Sequence, residues 1–170
     1  MVPAVRSAVP GDAGEILGIY APYITDTGVT FETEVPSTAE FAARIDGILK
    51  NYPFLVYETD NKIIGYAYGS RYRERAAYKY SADVSVYVTQ NHHGRGVGRA
   101  LYTELFDLLR DRGIYTAYAG IVLPNEKSIG LHKACGFGEV GIYHNAGYKL
   151  GEWRDVLWVE KPLREYDTPD

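Results

Sequence analysis

Three glycines at alternate positions, Gly94, Gly96 and Gly98, separate an apolar β-type run from an amphipathic helical pattern. The apolar run ends at Val88, and beyond the glycines apolar residues recur at helical spacing as far as Leu109. The first N–H groups of a helix have no partner within it, and glycines let a bound group approach the backbone closely. The order strand, glycine loop, helix therefore predicts a phosphate-binding site.

Two common phosphate-binding motifs do not fit this loop. A P-loop has Lys and then Ser or Thr after its last glycine, where this sequence has Arg99 and Ala100. A dinucleotide fingerprint has a third glycine or alanine at a position that Arg99 or Leu101 occupies here. Four basic residues that suit an anionic ligand flank the glycines: His92, His93, Arg95 and Arg99.

A carboxylate, Asp83, interrupts the apolar run from Ser81 to Val88. Such a residue points outward at a strand edge, pairs with a cation such as Arg71 or Lys79, or acts as a general base. A free Asp has a pKa of about 3.9, so accepting a proton near neutral pH requires burial or a water relay. The sequence leaves these alternatives open.

The composition is that of an ordinary folded domain. The chain has 170 residues, of which 46% are hydrophobic and 24% charged, enough for one core and one domain. No apolar run could cross a bilayer and no leader follows Met1, so we expect a cytoplasmic protein without a membrane partner. The net charge of −4 argues against nucleic acid as a partner. The single cysteine, Cys135, excludes an internal disulfide and a cysteine metal cluster, and we expect no metal.

Periodicity and turn residues predict the elements of the first half of the chain. Asp12 with Glu15 has the form of a capping box that opens a first helix, and Ser37 with Glu40 has the form of a second. The pair Asp60-Asn61 predicts a hairpin turn. The predicted order is a strand at 2–9, two helices, and strands at 54–58 and 62–72.

The second half alternates strands and helices. Strands are predicted at 81–88 and 114–123, and Gly113 is the expected C′ residue of the helix between them. A short helix follows Pro124 and stops at Gly136, and two final strands are predicted at 138–143 and 153–161. The domain is expected to span 1–162, with a loose polar tail at 163–170.

This order, β-α-α-β-β-β-α-β-α-β-β, resembles that of the GCN5-related N-acetyltransferase (GNAT) family. The glycine loop resembles the acyl-CoA motif of that family, Gln/Arg-x-x-Gly-x-Gly/Ala, with His93 in the place of Gln or Arg. The resemblance implies an α/β (α+β) fold: one GNAT-type acyl-CoA N-acyltransferase domain whose mixed, mostly antiparallel sheet is flanked by helices. The phosphinothricin and methionine sulfoximine acetyltransferase branch is indicated by the segments VTFE (29–32), RAAY (75–78), SADVSVYV (81–88), LPNEKS (123–128) with His132, and GYKLGEWRDV (147–156).

The resemblance implies acetyl-CoA as cosubstrate. The backbone of residues 86–88 would follow the pantetheine arm, and the Val88 N–H would bind the thioester oxygen. Backbone amides of the loop would hold the pyrophosphate, and Asn125 and Ser128 would contact the pantetheine. The predicted cofactor-binding residues are Val86, Tyr87, Val88, His93, Gly94, Arg95, Gly96, Val97, Gly98, Arg99, Asn125 and Ser128.

The resemblance also implies catalytic and substrate-binding residues. Asp83 stands where this branch has Glu as the base, and its shorter side chain favours proton transfer through water. His132, with an ordinary pKa of about 6.5, would protonate the thiolate or help to deprotonate the amine; simple packing is the alternative. Cys135 is interpreted as buried packing. The predicted substrate-binding residues are Phe31, Glu32, Arg73, Arg75 and Tyr78, with Arg75, or its rival Arg73, on the substrate carboxylate.

Three functions fit these features. The first is transfer of the acetyl group to the α-amine of a small amino acid or analogue (phosphinothricin, methionine sulfoximine or methionine sulfone) by direct attack in a ternary complex. The second is acetylation of a protein N-terminus or lysine, against which the cationic segment 71–79 argues, unless that segment is only a solvated loop. The third is a non-catalytic acetyl-CoA sensor, which the departures at Asp83 and His93 leave open. The resemblance further implies a homodimer that completes the pocket.

Overall fold

A computed structural model describes residues 2–169 of the chain. Within that range one sheet contains seven strands: β1 (Ala4–Ser7), β2 (Phe54–Thr59), β3 (Lys62–Arg71), β4 (Ser81–Val88), β5 (Thr116–Val122), β6 (Gly138–Lys149) and β7 (Glu152–Pro162). Four α-helices pack on it: α1 (Ala13–Asp26), α2 (Thr38–Leu49), α3 (Val97–Asp111) and α4 (Glu126–Ala134). No helix within the described residues is long and apolar enough to cross a membrane.

The strand order is β1-β2-β3-β4-β5-β7-β6, and every neighbouring pair is antiparallel except β4 and β5. The parallel pairing of β4 with β5 covers three positions, from Ser81↔Thr116 to Asp83↔Tyr118. Beyond Asp83, β4 pairs only with β3, so the sheet divides along its middle. The predicted fold class, a mixed and mostly antiparallel sheet flanked by helices, is confirmed.

Hydrophobic clusters on the two faces of the sheet hold it between helices. Leu101, Leu105 and Leu109 of α3 pack in one cluster with Ala82 and Val84 of β4. Residues of α1, α2, β2 and β3 form the other cluster, against which Tyr87 packs. Because side chains alternate along a strand, Asp83 shares the face of Tyr87 and lies away from α3.

The second predicted capping box is confirmed and the first is wrong. The Ser37 hydroxyl accepts the Glu40 N–H at 3.1 Å, and the Glu40 carboxylate accepts the Ser37 N–H at 2.8 Å. Helix α1 does begin after Asp12, but the Asp12 carboxylate binds Arg6 at 2.9 Å instead of capping the helix. Glu15 accepts the N–H of a residue on β3 at 3.0 Å. Both carboxylates therefore bind groups outside the motif, so the capping box does not form.

The C-terminal part of the chain is more ordered than its composition predicts. Strand β6 runs to Lys149, six residues beyond the predicted end. The predicted loose tail packs against the sheet over residues 163–167: Leu163 is buried and its N–H donates to the Tyr115 carbonyl at 2.7 Å. The Tyr115 hydroxyl donates to Asp167 at 2.6 Å, and Tyr166 hydrogen-bonds Thr116 at 2.8 Å.

Candidate active site

A cleft of about 700 Å³ opens where β4 parts from β5. The end of β4, the glycine loop, and the first turns of α3 and α4 line it, and Tyr23 and Val29 contribute from the other side. Eleven of the twelve predicted cofactor-binding residues line this cleft, and Arg95 does not. The eleven are Val86, Tyr87, Val88, His93, Gly94, Gly96, Val97, Gly98, Arg99, Asn125 and Ser128.

The glycine loop presents backbone N–H groups to this cleft. Gly94 and Gly96 have φ angles of 73° and 81°, a left-handed conformation that favours glycine. Gly96 is the N-cap of α3 and supplies no capping side chain, so the first N–H groups of the helix are left for an anion. Gly98 is buried against α4, where an added Cβ would lie 3.0 Å from Leu131. Both helix N-termini therefore reach the cleft.

The Val88 N–H is directed into the gap between β4 and β5. The next residue, Thr89, donates its N–H to the Ile64 carbonyl on β3 at 2.9 Å. Because successive N–H groups of a strand point to opposite sides, the N–H groups of Val86 and Val88 point away from β3. In this part of β4, strand β5 no longer pairs with them. They are donors available to a bound carbonyl or amide.

Asp83 lies at the last position where β4 and β5 still pair. Its Oδ1 atom is buried and accepts no hydrogen bond from the described residues. Burial raises the pKa of Asp83 from 3.8 to about 7, and the positive charge of Arg73 opposes this rise. A carboxylate that takes up a proton near neutral pH is suited to general base catalysis.

Three of the five predicted substrate-binding residues, Arg73, Arg75 and Tyr78, line a second cavity of about 680 Å³. This cavity also contains Ser70, which pairs directly with Asp83 across β3 and β4. Six cations and one carboxylate contribute to its lining: Arg44, Arg71, Arg73, Arg75, Lys79, Arg112 and Glu74. The cavity is therefore strongly electropositive and adjoins the position of Asp83.

The other two predicted substrate-binding residues, Phe31 and Glu32, do not line this cavity. The Phe31 ring packs against Gly147, where an added Cβ would lie 2.6 Å from it. The Glu32 carboxylate binds Arg44 at 2.7 Å and accepts a hydrogen bond from Tyr20. Although burial opposes it, these hydrogen bonds hold the pKa of Glu32 below its usual value. Glu32 therefore contacts a residue that lines the cavity, Arg44, but does not line the cavity itself.

Lys149, which was not among the predicted site residues, joins the hairpin of β6 and β7 to this region. Its side chain is only 5% exposed, and its ammonium group donates to the Thr30 carbonyl at 2.8 Å. Burial lowers the pKa of Lys149. A lysine between two predicted strands usually faces solvent, so its sequence position carried no signal of this contact.

His132 lies in the core and does not line the cleft. Its Nδ1 atom donates to the Ser128 carbonyl at 2.7 Å, and its Nε2 atom lies 2.9 Å from the Tyr102 hydroxyl, which donates to it. Burial lowers the pKa of His132, which favours the neutral ring. With both nitrogens engaged, the geometry favours a positioning role in α4 over the predicted proton transfer. Cys135 is half-buried, and burial raises the pKa of its thiol.

Comparisons with known proteins find similar proteins over nearly the whole chain. The family model for the acetyltransferase (GNAT) domain matches residues 5–158. The chain is 39% identical to a phosphinothricin N-acetyltransferase of Streptomyces coelicolor, over 94% of this chain and 95% of the relative. It is 32% identical to an L-methionine sulfoximine/L-methionine sulfone acetyltransferase of Salmonella typhimurium, over 98% of both. A phosphinothricin acetyltransferase from Sinorhizobium meliloti, solved in complex with acetyl-CoA, superposes with a TM-score of 0.94 at 34% identity, covering 100% of this chain and 94% of that one.

Replacing Asp83 with Asn should stabilise the protein at alkaline pH. Since the folded-state pKa is about 7 and the unfolded value is 3.8, the folded state retains a proton that the unfolded chain releases between these limits. The contribution of Asp83 to stability therefore falls as pH rises from about 4 to 7 and is constant above. We expect Asp83→Asn to raise the free energy of unfolding by about 2 kcal/mol at pH 8 and by less at pH 5, allowing for partial solvent screening.

Urea denaturation at the two pH values measures this difference. Asp46→Asn, at an exposed position of α2, is the matched control and should show no such pH dependence. An equal effect of Asp83→Asn at both pH values would contradict a proton retained by the folded carboxyl group.

His132→Ala should reduce the stability of the fold and should have no direct effect on the acetyl-transfer step. The substitution leaves a cavity and removes the hydrogen-bond partners of Tyr102 and Ser128, so we expect a loss of about 2–4 kcal/mol in the free energy of unfolding. Tyr102→Phe removes one of these hydrogen bonds alone and should cost about 1 kcal/mol. Both are measured by denaturant titration. A His132→Ala variant of unchanged stability that binds acetyl-CoA but has lost turnover would restore the predicted catalytic role.

Proposed function

The chain belongs to the GNAT acetyltransferase family, and on this premise we propose that it transfers the acetyl group of acetyl-CoA to the α-amine of a small amino acid or amino-acid analogue. The observation that supports this most directly is the cleft beside the end of β4, which the glycine loop lines, together with Asp83 at the last position where the same strand still pairs with β5. Phosphinothricin, methionine sulfoximine and methionine sulfone, the compounds named for the relatives, define the proposed class of acceptor.

The cleft has the parts that an acyl-CoA thioester requires. The N–H groups of the glycine loop and the side chain of Arg99 would hold the pyrophosphate. The outward-directed N–H of Val86 would bind the pantetheine arm, as would Asn125 and Ser128 at the start of α4. Bound acetyl-CoA supplies an activated acetyl group, and the Val88 N–H would stabilise the negative charge that develops on its carbonyl oxygen.

Asp83 would accept the proton of the attacking amine. Its pKa of about 7 leaves it ionised above neutral pH and able to take up a proton during the reaction. Because the Asp side chain is short, we propose that one water molecule carries the proton from the amine to the carboxylate. The amine nitrogen then bonds to the acetyl carbon as the bond to sulfur breaks, and the thiolate is protonated from solvent in the open cleft.

The electropositive cavity would select an acceptor with a free carboxylate. Arg75 and Arg73 both line it, and a guanidinium group binds a carboxylate through two parallel hydrogen bonds. Arg73 lies over the Tyr72 ring, with 5.0 Å between the guanidinium carbon and the ring centre, whereas Arg75 precedes a short 3-10 turn at Ala76–Tyr80. We propose Arg75 as the carboxylate ligand. A peptide with an internal acceptor lysine would lack this carboxylate.

We propose that the protein is a homodimer. Strand β6 is an edge of the sheet, and the hairpin that it forms with β7 exposes a row of large apolar side chains: Ile142, Tyr143, Tyr148, Leu150 and Trp153. Exposed edges and contiguous apolar surface are features of protein–protein interfaces. Tyr143 of this hairpin interacts with Arg73, which lines the electropositive cavity, so a second copy bound there would lie near the proposed acceptor site.

CoA release with a panel of acceptors tests the proposed activity. We expect turnover with phosphinothricin, methionine sulfoximine or methionine sulfone, and little with N-terminal peptides. Arg75→Ala should raise KM for the acceptor about 10- to 100-fold, because a charge-assisted bidentate pair is lost, and should leave KM for acetyl-CoA unchanged. Arg73→Ala is the matched comparison. A larger effect of Arg73→Ala would assign the carboxylate to Arg73 instead.

Other outcomes of the panel would contradict the proposal. A preference for peptides would overturn the class of acceptor, and acetyl-CoA binding without any turnover would indicate a sensor. Asp83→Asn should lower turnover at least 100-fold while acetyl-CoA binding is retained, since a general base contributes about that much. Near-normal turnover of this variant would exclude Asp83 as the base.

Sedimentation equilibrium tests the proposed dimer. We expect a species of twice the chain mass of 19.0 kDa. Trp153→Asp should shift the equilibrium to the monomer, because it places a charge in the proposed apolar interface. Val9→Asp changes an exposed apolar residue near the opposite edge strand and should leave the dimer intact. A monomeric parent protein would contradict the proposal.

A further inference from the structure

Tyr23, a residue of α1, reaches across the cleft to the backbone at the end of β4. Its hydroxyl group donates to the Val88 carbonyl at 2.6 Å. The same hydroxyl lies 2.9 Å from Nε2 of His93, and this nitrogen lies 3.0 Å from the Val88 carbonyl oxygen. Tyr23, His93 and Val88 all line the cleft. Two side chains from different elements therefore converge on one carbonyl group.

The protons in this arrangement can be placed. Burial raises the pKa of Tyr23 to about 12, so the hydroxyl keeps its proton at neutral pH. That proton is donated to the Val88 carbonyl, so Nε2 of His93 must carry a hydrogen of its own to bond the same two oxygens. Nδ1 of His93 is buried and has no partner among the described residues. The Val88 carbonyl thus accepts from two donors, which uses both of its lone pairs.

The Val88 carbonyl needs such partners because the sheet ends beside it. In a strand, the carbonyl and the N–H of one residue point to the same side, so the Val88 carbonyl also points away from β3. A continuous β5 would pair with this side, but β5 pairs with β4 only as far as Asp83. An unpaired buried carbonyl at this point would cost free energy, and the orientation of the Val88 backbone would be fixed only from the β3 side. Tyr23 and His93 supply the hydrogen-bond donors that a continuous β5 would have supplied to this carbonyl.

We propose that Tyr23 and His93 are positioning residues, which hold the Val88 carbonyl so that the N–H of the same residue is aimed at the acetyl carbonyl. The inference rests on the proposed function, in which that N–H stabilises the oxyanion. Tyr23 is itself held firmly, since its ring packs on Tyr87 with 5.3 Å between ring centres. The proposal also gives a physical role to His93, which departs from the Gln or Arg of the family motif.

The test uses Tyr23→Phe, which removes the donor and keeps the ring. Carbon-13 labelling of the thioester carbonyl and infrared difference spectroscopy report the hydrogen bond to that carbonyl directly. Relative to free acetyl-CoA in solution, we expect the carbonyl stretching frequency to be lower when acetyl-CoA is bound to the parent protein. The decrease should be smaller in the variant. Calorimetry should show that the preference for acetyl-CoA over CoA falls, while the Kd of CoA changes less than about twofold. Turnover should fall about tenfold, since small displacements of a reacting group are costly.

Matched variants separate positioning from general damage. Tyr57→Phe, on β2 and away from the cleft, should leave the spectrum, the affinities and turnover as in the parent. His93→Ala should reproduce the Tyr23→Phe effects in part. His93→Gln should recover part of that loss, because a Gln amide can donate to the same carbonyl.

Two results would overturn the inference. The first is a Tyr23→Phe variant whose carbonyl stretch and preference for acetyl-CoA match the parent. The second is a Tyr23→Phe variant that binds acetyl-CoA more tightly than the parent protein. That result would mean that bound acetyl-CoA displaces the Tyr23 hydroxyl from the Val88 carbonyl. Failure of every acceptor in the turnover panel would contradict the proposed function, whereas the spectroscopic and binding results do not depend on an acceptor.

Discussion

The divergence of β4 from β5 is the feature on which the rest of this site depends. Three parallel pairs join the strands at their N-terminal ends, and beyond them the backbone groups of β4 lack a sheet partner on one side. Because a backbone N–H or carbonyl requires a partner, the N–H groups along this opening are available to an extended, amide-containing ligand. The glycine loop lies at its wide end and Asp83 at its narrow end, so one topological feature positions both.

The same opening accounts for the electrostatics of Asp83. At the last paired position the carboxylate is largely withdrawn from water, and the nearby Arg73 compensates for only part of that burial. The result is a carboxylate that costs the fold stability above neutral pH and gains basicity for that reason. A residue that is unfavourable for folding yet suited to proton transfer is characteristic of an active site.

Tyrosine is abundant in this chain, and the structure gives several of these residues distinct tasks. Tyr20 binds Glu32, Tyr23 binds the Val88 carbonyl, and Tyr102 donates to His132. In each case an aromatic ring fills volume in the protein while its hydroxyl group gives a polar group a hydrogen bond. The tyrosines therefore allow polar atoms close to the site without loss of packing.

The sequence by itself determined the order of elements, the family and eleven of the residues that line the cleft, but not Tyr23. These follow from local patterns: glycines that need a left-handed backbone, helical and strand periodicity, and the motif around Asn125. The tertiary structure alone decided which polar side chains have hydrogen-bond partners within the protein and which do not. Glu15, Glu32 and His132 have partners distant in the sequence, whereas Asp83 has an unpartnered oxygen, and no local pattern distinguishes these cases. Hydrogen bonding and burial depend on contacts between separate elements, which exist only once the chain is folded.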